Sequence, residues 1–169
     1  RQGELQSAKP VLDAFAARYA QTSLLITCNS LSGRLWAGEL GYHAVLSPLD
    51  LRWAQRRFLS AYPIAAHVTF EAELWPNRIA ILAAAGIPIA ALGARMSARG
   101  QNLWRRFPSL STKLLNALAY LQPQDADSDQ RFKSLGIDPR KMGPVLNWKS
   151  LYQPQTIDLD STKRGTICL

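Results

Sequence analysis

The stretch that decides the fold is residues 64–97, IAAHVTFEAELWPNRIAILAAAGIPIAALGARMS. Its first seven residues are mostly apolar and include three β-branched side chains, a composition that predicts a short buried strand ending at Phe70. Pro76 suits the first residue of a helix, and Gly86 suits the position just beyond its end. A second strand is predicted from Ile87 to Leu92, and Ser97 can cap the helix that follows. A strand, a helix and a strand in this order predict a βαβ unit with parallel strands.

The same alternation extends in both directions along the chain. Ahead of this unit we expect two strands, each accompanied by helices, and Asp50 is a candidate cap for the helix that carries Trp53 and Phe58. The first helix is expected to begin near Ser7, with Pro10 in its first turn and Gly3-Glu4 just before it. The fold class is therefore α/β, a Rossmann-like three-layer sandwich with a parallel sheet. The predicted segments are a helix over 7–20, a strand over 23–28, a helix over 31–40, a strand over 43–46, a strand over 120–123 and a helix from Asp125 to Gly136.

One domain is expected over residues 1–143, since 169 residues suffice for a single core. Residues 144–169 are proline-containing and polar, which is typical of a linker. Their last four residues resemble the start of a strand, so we expect a second domain to begin there. Gly3-Glu4 directly before a helix also suggests a preceding strand, which either lies outside the given chain or is absent from the fold.

Positive charge is concentrated in the middle of the sequence. The chain carries a formal net charge of +8, and residues 51–113 hold nine bases against two acids. No acidic residue occurs between positions 74 and 124. A solvated helix surface could explain this, but a basic face points to an anionic partner such as nucleic acid, phosphate or an anionic membrane.

Candidate ligand-binding residues follow the predicted strands. Open parallel sheets bind ligands beyond the carboxyl ends of their strands. The residues expected at that edge are Glu4, Glu71, Glu73, Arg95 and Ser97. Carboxylates in a positive field suit acid–base chemistry, although Glu4 and Glu73 could equally serve as the anionic residues of helix N-termini.

Other chemistries have weaker support in the residues. Two cysteines exclude a disulfide framework and a cysteine-built zinc site, and no phosphate-loop or HExxH motif occurs. His43 and His67 stand alone in strand-like stretches, so packing is the expected role of both.

The block Glu71-Ala72-Glu73-Leu74-Trp75-Pro76-Asn77 resembles the Glu-Thr-Glu-Leu-Trp-Pro-Asn block of the 3-deoxy-D-manno-octulosonic acid (Kdo) transferases. Further matches cover nearly the whole chain and keep the family's order. They are Gly3-Glu4, Pro48-Leu49-Asp50, Arg57-Phe58-Leu59, Gly86-Ile87-Pro88, Ala94-Arg95-Met96-Ser97, Gln124, Arg131-Phe132, Leu135-Gly136 and Asn147-Trp148-Lys149.

The resemblance implies the N-terminal, acceptor-binding half of a GT-B glycosyltransferase. The family moves Kdo from the donor CMP-Kdo to a lipid A precursor with inversion, using no metal or other cofactor. The donor would be bound mainly by the C-terminal domain that this chain lacks, so the fragment alone is expected to be inactive. Glu4 matches the position of the general base. The residues that would bind substrate or orient its pocket are Gly3, Glu71, Glu73, Arg95, Ser97, Arg99, Asn147 and Lys149.

The implied partners explain the basic face. A phosphorylated, acylated acceptor in an anionic bilayer would attract arginines both as phosphate ligands and as membrane contacts. Helical spacing would bring Arg95, Arg99 and Arg106 to one face, with Arg105 nearby and with Trp104 and Phe107 beside them. The expected location is the cytoplasmic face of the bacterial inner membrane, and nucleic acid is not an expected partner. Gly93 and Leu146 depart from the family's pattern, which favours as an alternative a non-catalytic paralogue that binds lipid or a membrane surface.

Overall fold

A computed structural model describes residues 2–18, 22–71 and 74–147 of the chain. Helices and strands alternate along it, which confirms the predicted α/β class. The helices are α1 (Gln2–Arg18), α2 (Leu31–Glu39), α3 (Arg52–Ala61), α4 (Pro76–Ala84), α5 (Ala98–Trp104), α6 (Pro108–Ala117) and α7 (Ala126–Ser134), followed by a 3-10 turn over Pro139–Lys141. The strands are β1 (Leu25–Cys28), β2 (His43–Leu46), β3 (His67–Phe70), β4 (Ile89–Ala94) and β5 (Tyr120–Pro123).

All strand pairs are parallel, as the βαβ pattern predicted, but they form two sheets. β1 pairs with β2, and β3, β4 and β5 form a second sheet in that order. Hydrogen bonds from α4 to the loop after β2 connect the two sheets: the Arg78 guanidinium donates to Ser47 Oγ at 2.5 Å. The two sheets are therefore linked by hydrogen bonds between the loop after β2 and the first turn of α4, and not by backbone pairing of strands.

The main core surrounds β4 and β5. Ile89 and Ala91 of β4 and Leu121 of β5 are completely buried, and Phe132 of α7 packs among them. One face of β4 is fully buried and the other is at least half-buried, as expected for a parallel strand in the interior of a sheet. The β1–β2 pair is only half-buried, so the three-stranded sheet carries most of the packing.

Most predicted helix boundaries are confirmed. Pro76 begins α4, and Gly86, with φ of 71°, follows its end. Ser97 caps α5 by accepting a hydrogen bond from Gly100 N at 3.0 Å, and Asp125 caps α7. The prediction for Asp50 is wrong: α3 has Leu51 at its N-cap without a side-chain bond, whereas the Asp50 carboxylate binds the first turn of α4.

The expected start of the first helix is also wrong. α1 begins at Gln2 rather than near Ser7, so Gly3 and Glu4 lie in its first turn and Pro10 lies in its interior. The predicted strand at the end of the chain falls outside the described residues. Across the part of the chain that the structure covers, no helix is both long enough and apolar enough to span a bilayer.

Candidate functional site

The carboxyl ends of β3 and β4 meet, as the topology predicted. Glu71 follows β3, and its N–H donates to Leu92 O at 3.0 Å. Its own carbonyl accepts from Arg95 N, the first residue after β4, at 3.4 Å. Glu71 has a φ of 60°, a left-handed conformation that is unfavourable for a residue with a side chain. The turn out of β3 is therefore held in place by its bonds to β4, and it brings Glu71 and Arg95 together.

An open cleft of about 570 Å³ lies beside this turn, between the first residues of α5 and α7. Arg95, Met96 and Ser97 form one wall, and Asp125, Asp127 and Arg131 belong to the other. The two walls are bonded to each other. Met96 N donates to Ser128 Oγ at 3.0 Å, and the Arg131 guanidinium donates to Met96 O at 3.0 Å.

Charges of both signs line the cleft. The pKa of the Asp125 carboxyl is lowered chiefly because it accepts a hydrogen bond from the backbone N–H of Ser128 at 2.6 Å. A side-chain hydrogen bond from Ser128 and the positive charges of Arg95 and Arg131 lower this pKa further. Asp127 pairs with Arg131 at 2.8 Å. Arg95 is exposed and lies at the mouth of the cleft. Among the residues the structure describes, no three His, Cys, Asp or Glu side chains come together as a metal site.

An extended segment, residues 143–147, brings Asn147 toward the same edge. Gly143 N donates to Leu121 O at 2.8 Å, and Leu146 N donates to Pro123 O at 3.0 Å, so the segment runs alongside β5. Asn147 follows immediately, beyond the end of β5. The structure thus gathers Glu71, Arg95, Ser97 and Asn147 at one edge of the three-stranded sheet.

Other predicted site residues have different outcomes. Gly3 and Glu4 lie in α1, where the structure does not describe their side chains, so the role of Glu4 as a base remains a prediction. Glu73 and Lys149 lie outside the described residues.

The predicted arginine face on one helix is wrong. α5 contains only residues 98–104, so Arg95 precedes it and Arg105 and Arg106 lie at and beyond its end. These three arginines and Arg99 are all exposed, and the four surround a short helix and the turn after it. Trp104 is half-buried against the core, whereas Phe107 is exposed.

Sequence reasoning missed two polar connections, one half-buried and one buried. Asp50 accepts from Asn77 N at 3.1 Å and from Arg78 N at 2.8 Å, and the Asn77 amide donates back to Asp50 O at 2.7 Å. The second connection is Gln122, a buried glutamine in the middle of β5. A polar residue in the strand Tyr-Leu-Gln-Pro is the sequence signal that could have drawn attention to it.

Parallel strands whose carboxyl ends gather charged and polar side chains are typical of α/β domains that bind ligands at that edge. The family profile described as 3-deoxy-D-manno-octulosonic-acid transferase (kdotransferase) matches residues 2–151, so the chain belongs to this family.

Curated relatives agree with this assignment. The chain is similar to the 3-deoxy-D-manno-octulosonic acid transferase of Haemophilus influenzae, with 27% identity over 87% of this chain and 35% of the relative. The enzyme of the same name from Bordetella pertussis is 31% identical over 76% of this chain and 31% of the relative. A protein from Arabidopsis thaliana named probable 3-deoxy-D-manno-octulosonic acid transferase, mitochondrial, is 30% identical over 81% of this chain and 32% of the relative. The chain spans about a third of the length of these relatives.

Proposed function

We propose that this domain binds the acceptor in an inverting glycosyltransferase that moves Kdo from CMP-Kdo to a lipid A precursor. The match to the Kdo transferase family over residues 2–151 carries this proposal. The edge that gathers Glu71, Arg95, Ser97 and Asn147 supports it, because open parallel sheets bind ligands at the carboxyl ends of their strands.

The proposed reaction is a single displacement. The Glu4 carboxylate takes the proton from a glucosamine hydroxyl of the acceptor while that oxygen attacks the anomeric carbon of Kdo. The bond from this carbon to the CMP phosphate oxygen breaks, and the electron pair leaves with CMP. The configuration at the anomeric carbon inverts because attack and departure occur on opposite faces. CMP-Kdo is a substrate in this scheme, and it requires no cofactor from the domain.

The remaining site residues are assigned to binding. Arg95 and Arg99 are exposed cations that suit the acceptor's phosphates, and Ser97 and Asn147 supply polar contacts nearby. Glu71 would orient the pocket from its turn. We assign Gly3, Glu73 and Lys149 to the same pocket on the family resemblance, and the donor to the C-terminal domain of the full-length enzyme.

An anionic membrane surface is the second proposed partner, at the cytoplasmic face of the inner membrane. Leu103 near the end of α5 and Phe107 in the turn before α6 are each 56% exposed, and Leu110 in the first turn of α6 is also exposed. Apolar side chains among cations suit a bilayer surface, where acyl chains lie below anionic headgroups. The exposed bases around this turn, which we call the α5–α6 basic turn, are Arg99, Arg105, Arg106 and Lys113.

The decisive experiment measures Kdo transfer from CMP-Kdo to a tetra-acylated lipid A precursor by the full-length enzyme. Glu4→Gln should lower kcat by about a hundredfold or more, because general-base catalysis typically contributes that much. Glu39→Gln, the same change at an exposed residue at the end of α2, should retain wild-type rates.

Full activity in Glu4→Gln would refute the base assignment. A wild-type enzyme that binds the precursor without transferring Kdo would favour the non-catalytic lipid-binding paralogue. Salt-sensitive binding to duplex nucleic acid, tighter than binding to vesicles, would contradict both. Residues 1–169 alone should be inactive, because we assign donor binding to the C-terminal domain of the full-length enzyme.

A further inference from the structure

Gln122 connects two parts of the candidate site that no backbone ladder joins. Its side chain is almost completely buried, with 2% of the residue exposed. On one side, Oε1 accepts a hydrogen bond from Gly93 N of β4 at 2.8 Å. On the other, Nε2 donates to Leu146 O at 2.9 Å and to Pro144 O at 3.1 Å, and it also approaches Pro123 O. One amide thus bonds β4 to residues 143–147 across β5.

Gly93 needs such a partner because β4 is irregular there. The register of the β4–β5 pair shifts between Ala91 and Ala94, and Gly93 adopts a φ of 59°. A bulged residue loses its place in the ladder, and a buried N–H without a partner destabilises the fold. The Gln122 carbonyl oxygen satisfies this N–H and so fixes the bulge two residues before Arg95.

The amide nitrogen of Gln122 holds residues 143–147 against β5. The N–H groups of Gly143 and Leu146 bond to β5, and the carbonyls of Pro144 and Leu146 accept from Gln122. Without these donors, the segment would lose its bonds to the Gln122 side chain and keep the backbone bonds to β5, which include the bridge between Leu121 and Met142. The position of Asn147, directly after Leu146, therefore depends on Gln122.

We propose that Gln122 is a positioning residue that sets the separation between Arg95 and Asn147 across the acceptor pocket. This inference rests on the proposed function, since it gives the two residues a shared substrate. Gly93 and Leu146, which both depart from the family's pattern, are both hydrogen-bond partners of Gln122. A side chain at this position must carry both an acceptor for Gly93 N and a donor for the carbonyls of Pro144 and Leu146 to bond to β4 and to residues 143–147 at once.

Two substitutions in the full-length enzyme separate the two halves of the connection. Gln122→Glu keeps an acceptor for Gly93 N but loses the donors to Pro144 and Leu146. Gln122→Met has a similar length and loses both halves without adding a charge. Gln130→Glu, at an exposed residue of α7, is the matched control for the change from amide to carboxylate.

The expected kinetic signature is a rise in the acceptor KM of about tenfold in both Gln122 variants, with kcat changed less, because misplaced binding groups weaken binding. Gln130→Glu should match the wild type. A buried carboxyl that becomes protonated regains one donor. The defect of Gln122→Glu relative to wild type should therefore shrink as the pH falls, whereas that of Gln122→Met should not.

Hydrogen–deuterium exchange of the same full-length proteins supplies a readout that does not depend on activity. Residues 143–147 should exchange faster in both variants, and residues 92–95 should exchange faster in Gln122→Met only. Wild-type exchange at residues 143–147 together with a wild-type KM would overturn the proposal. A fall in kcat together with a fall in thermal stability, while the acceptor KM stays at the wild-type value, would show that Gln122 has a purely structural role and would overturn the proposal. If the wild-type enzyme transfers no Kdo, the proposed function fails, and exchange alone decides whether Gln122 holds the segment.

Discussion

Asp50 shows how a single carboxylate holds two loops of this domain. It follows β2 in sequence, but its oxygens accept from the backbone N–H groups of Asn77 and Arg78 in the first turn of α4. The buried Gln55 amide donates to Leu49 O at 3.0 Å, so α3 secures the same loop from the other side. The loop after β2 and the start of α4 are therefore fixed relative to each other.

Replacing Asp50 with Ala should lower the free energy of unfolding by about 2 kcal/mol, because two N-terminal N–H groups of α4 lose a charged acceptor. Urea unfolding would measure the loss. Lys133→Ala, which removes only an exposed pair with Asp129 on α7, should cost less than about 0.5 kcal/mol. Equal costs in the two variants would show that Asp50 contributes no more than a surface ion pair.

His67 is a second residue whose surroundings determine its chemistry. Burial, aided by the positive charge of Arg78, lowers its pKa to about 4 from an ordinary value of 6.5. The native imidazole is therefore neutral at pH 7. Between these two values the unfolded chain binds more protons than the native chain, so the stability that depends on His67 is complete above pH 6.5 and falls as the pH drops toward 4.

His67→Gln should reduce the loss of stability between about pH 7 and pH 4.5, because it removes a group that binds a proton only on unfolding. Urea midpoints at the two pH values would measure this. His43→Gln is the control, since His43 is exposed at the start of β2 and its replacement should leave the wild-type pH dependence. The lowered pKa values of Asp13, Asp125 and Asp138 affect stability below this window. A wild-type pH dependence in His67→Gln would contradict the burial argument.

At the scale of elements, the segment of residues 143–147 lies close to β5 because Gly143 has no side chain. A Cβ at this position would overlap the Tyr120 hydroxyl and lie 2.5 Å from Tyr120 Cζ. The tyrosine ring and the segment are therefore in direct contact.

Gly143→Ala should destabilise the domain by about 1–3 kcal/mol and speed amide exchange in residues 143–147, because the segment or the ring must move. Gly38→Ala tests the same change where a Cβ would meet nothing within 4 Å. Gly38 lies within α2, so its replacement should raise stability by about 0.5–1 kcal/mol. A neutral Gly143→Ala would mean that the segment is not held against Tyr120.

At the scale of the whole molecule, the charge is separated from the core. The buried side chains surround β4 and β5, whereas the bases of the α5–α6 basic turn all face solvent. Exposed Leu103, Phe107 and Leu110 accompany them. Under the proposed function, this combination of exposed apolar side chains and bases suits the turn to an anionic bilayer.

The double variant Arg105→Gln/Arg106→Gln should weaken binding to vesicles of phosphatidylglycerol and phosphatidylcholine by about thirtyfold, since each base near an anionic surface contributes about 1 kcal/mol. Sedimentation with vesicles at low salt would measure this, and added salt should reduce the difference. The control is the double variant Lys133→Gln/Arg140→Gln, which also removes two positive charges but in α7 and the 3-10 turn. It should bind the vesicles nearly as well as the wild type. Equal weakening in both double variants would show that net charge alone attracts the protein.

The boundaries that local chemistry controls could be predicted from the sequence. Pro76 and Gly86 bracket α4, and Ser97 and Asp125 cap helices, because each effect involves residues within one turn. The start of α1 was mispredicted because Pro10 lies in the helix interior, where proline is normally unfavourable. The placement of Glu71 and Arg95 at one edge also followed from the sequence, since parallel topology brings the ends of adjacent strands together.

Hydrogen bonds between residues distant in sequence could be assigned only from the tertiary structure. Asp50 bonds to Asn77 and Arg78 rather than to α3, and Gln122 bonds to Gly93 and Leu146, because side-chain partners depend on how separate elements pack. The sequence by itself determined the α/β class, the parallel strands and the family resemblance, all of which follow from periodicity and local motifs. The tertiary structure decided the division into two sheets, the exposure of the α5–α6 basic turn and the bonding of Gly93 to residues 143–147 through the buried Gln122 amide. These depend on distances across the fold, which no local pattern encodes.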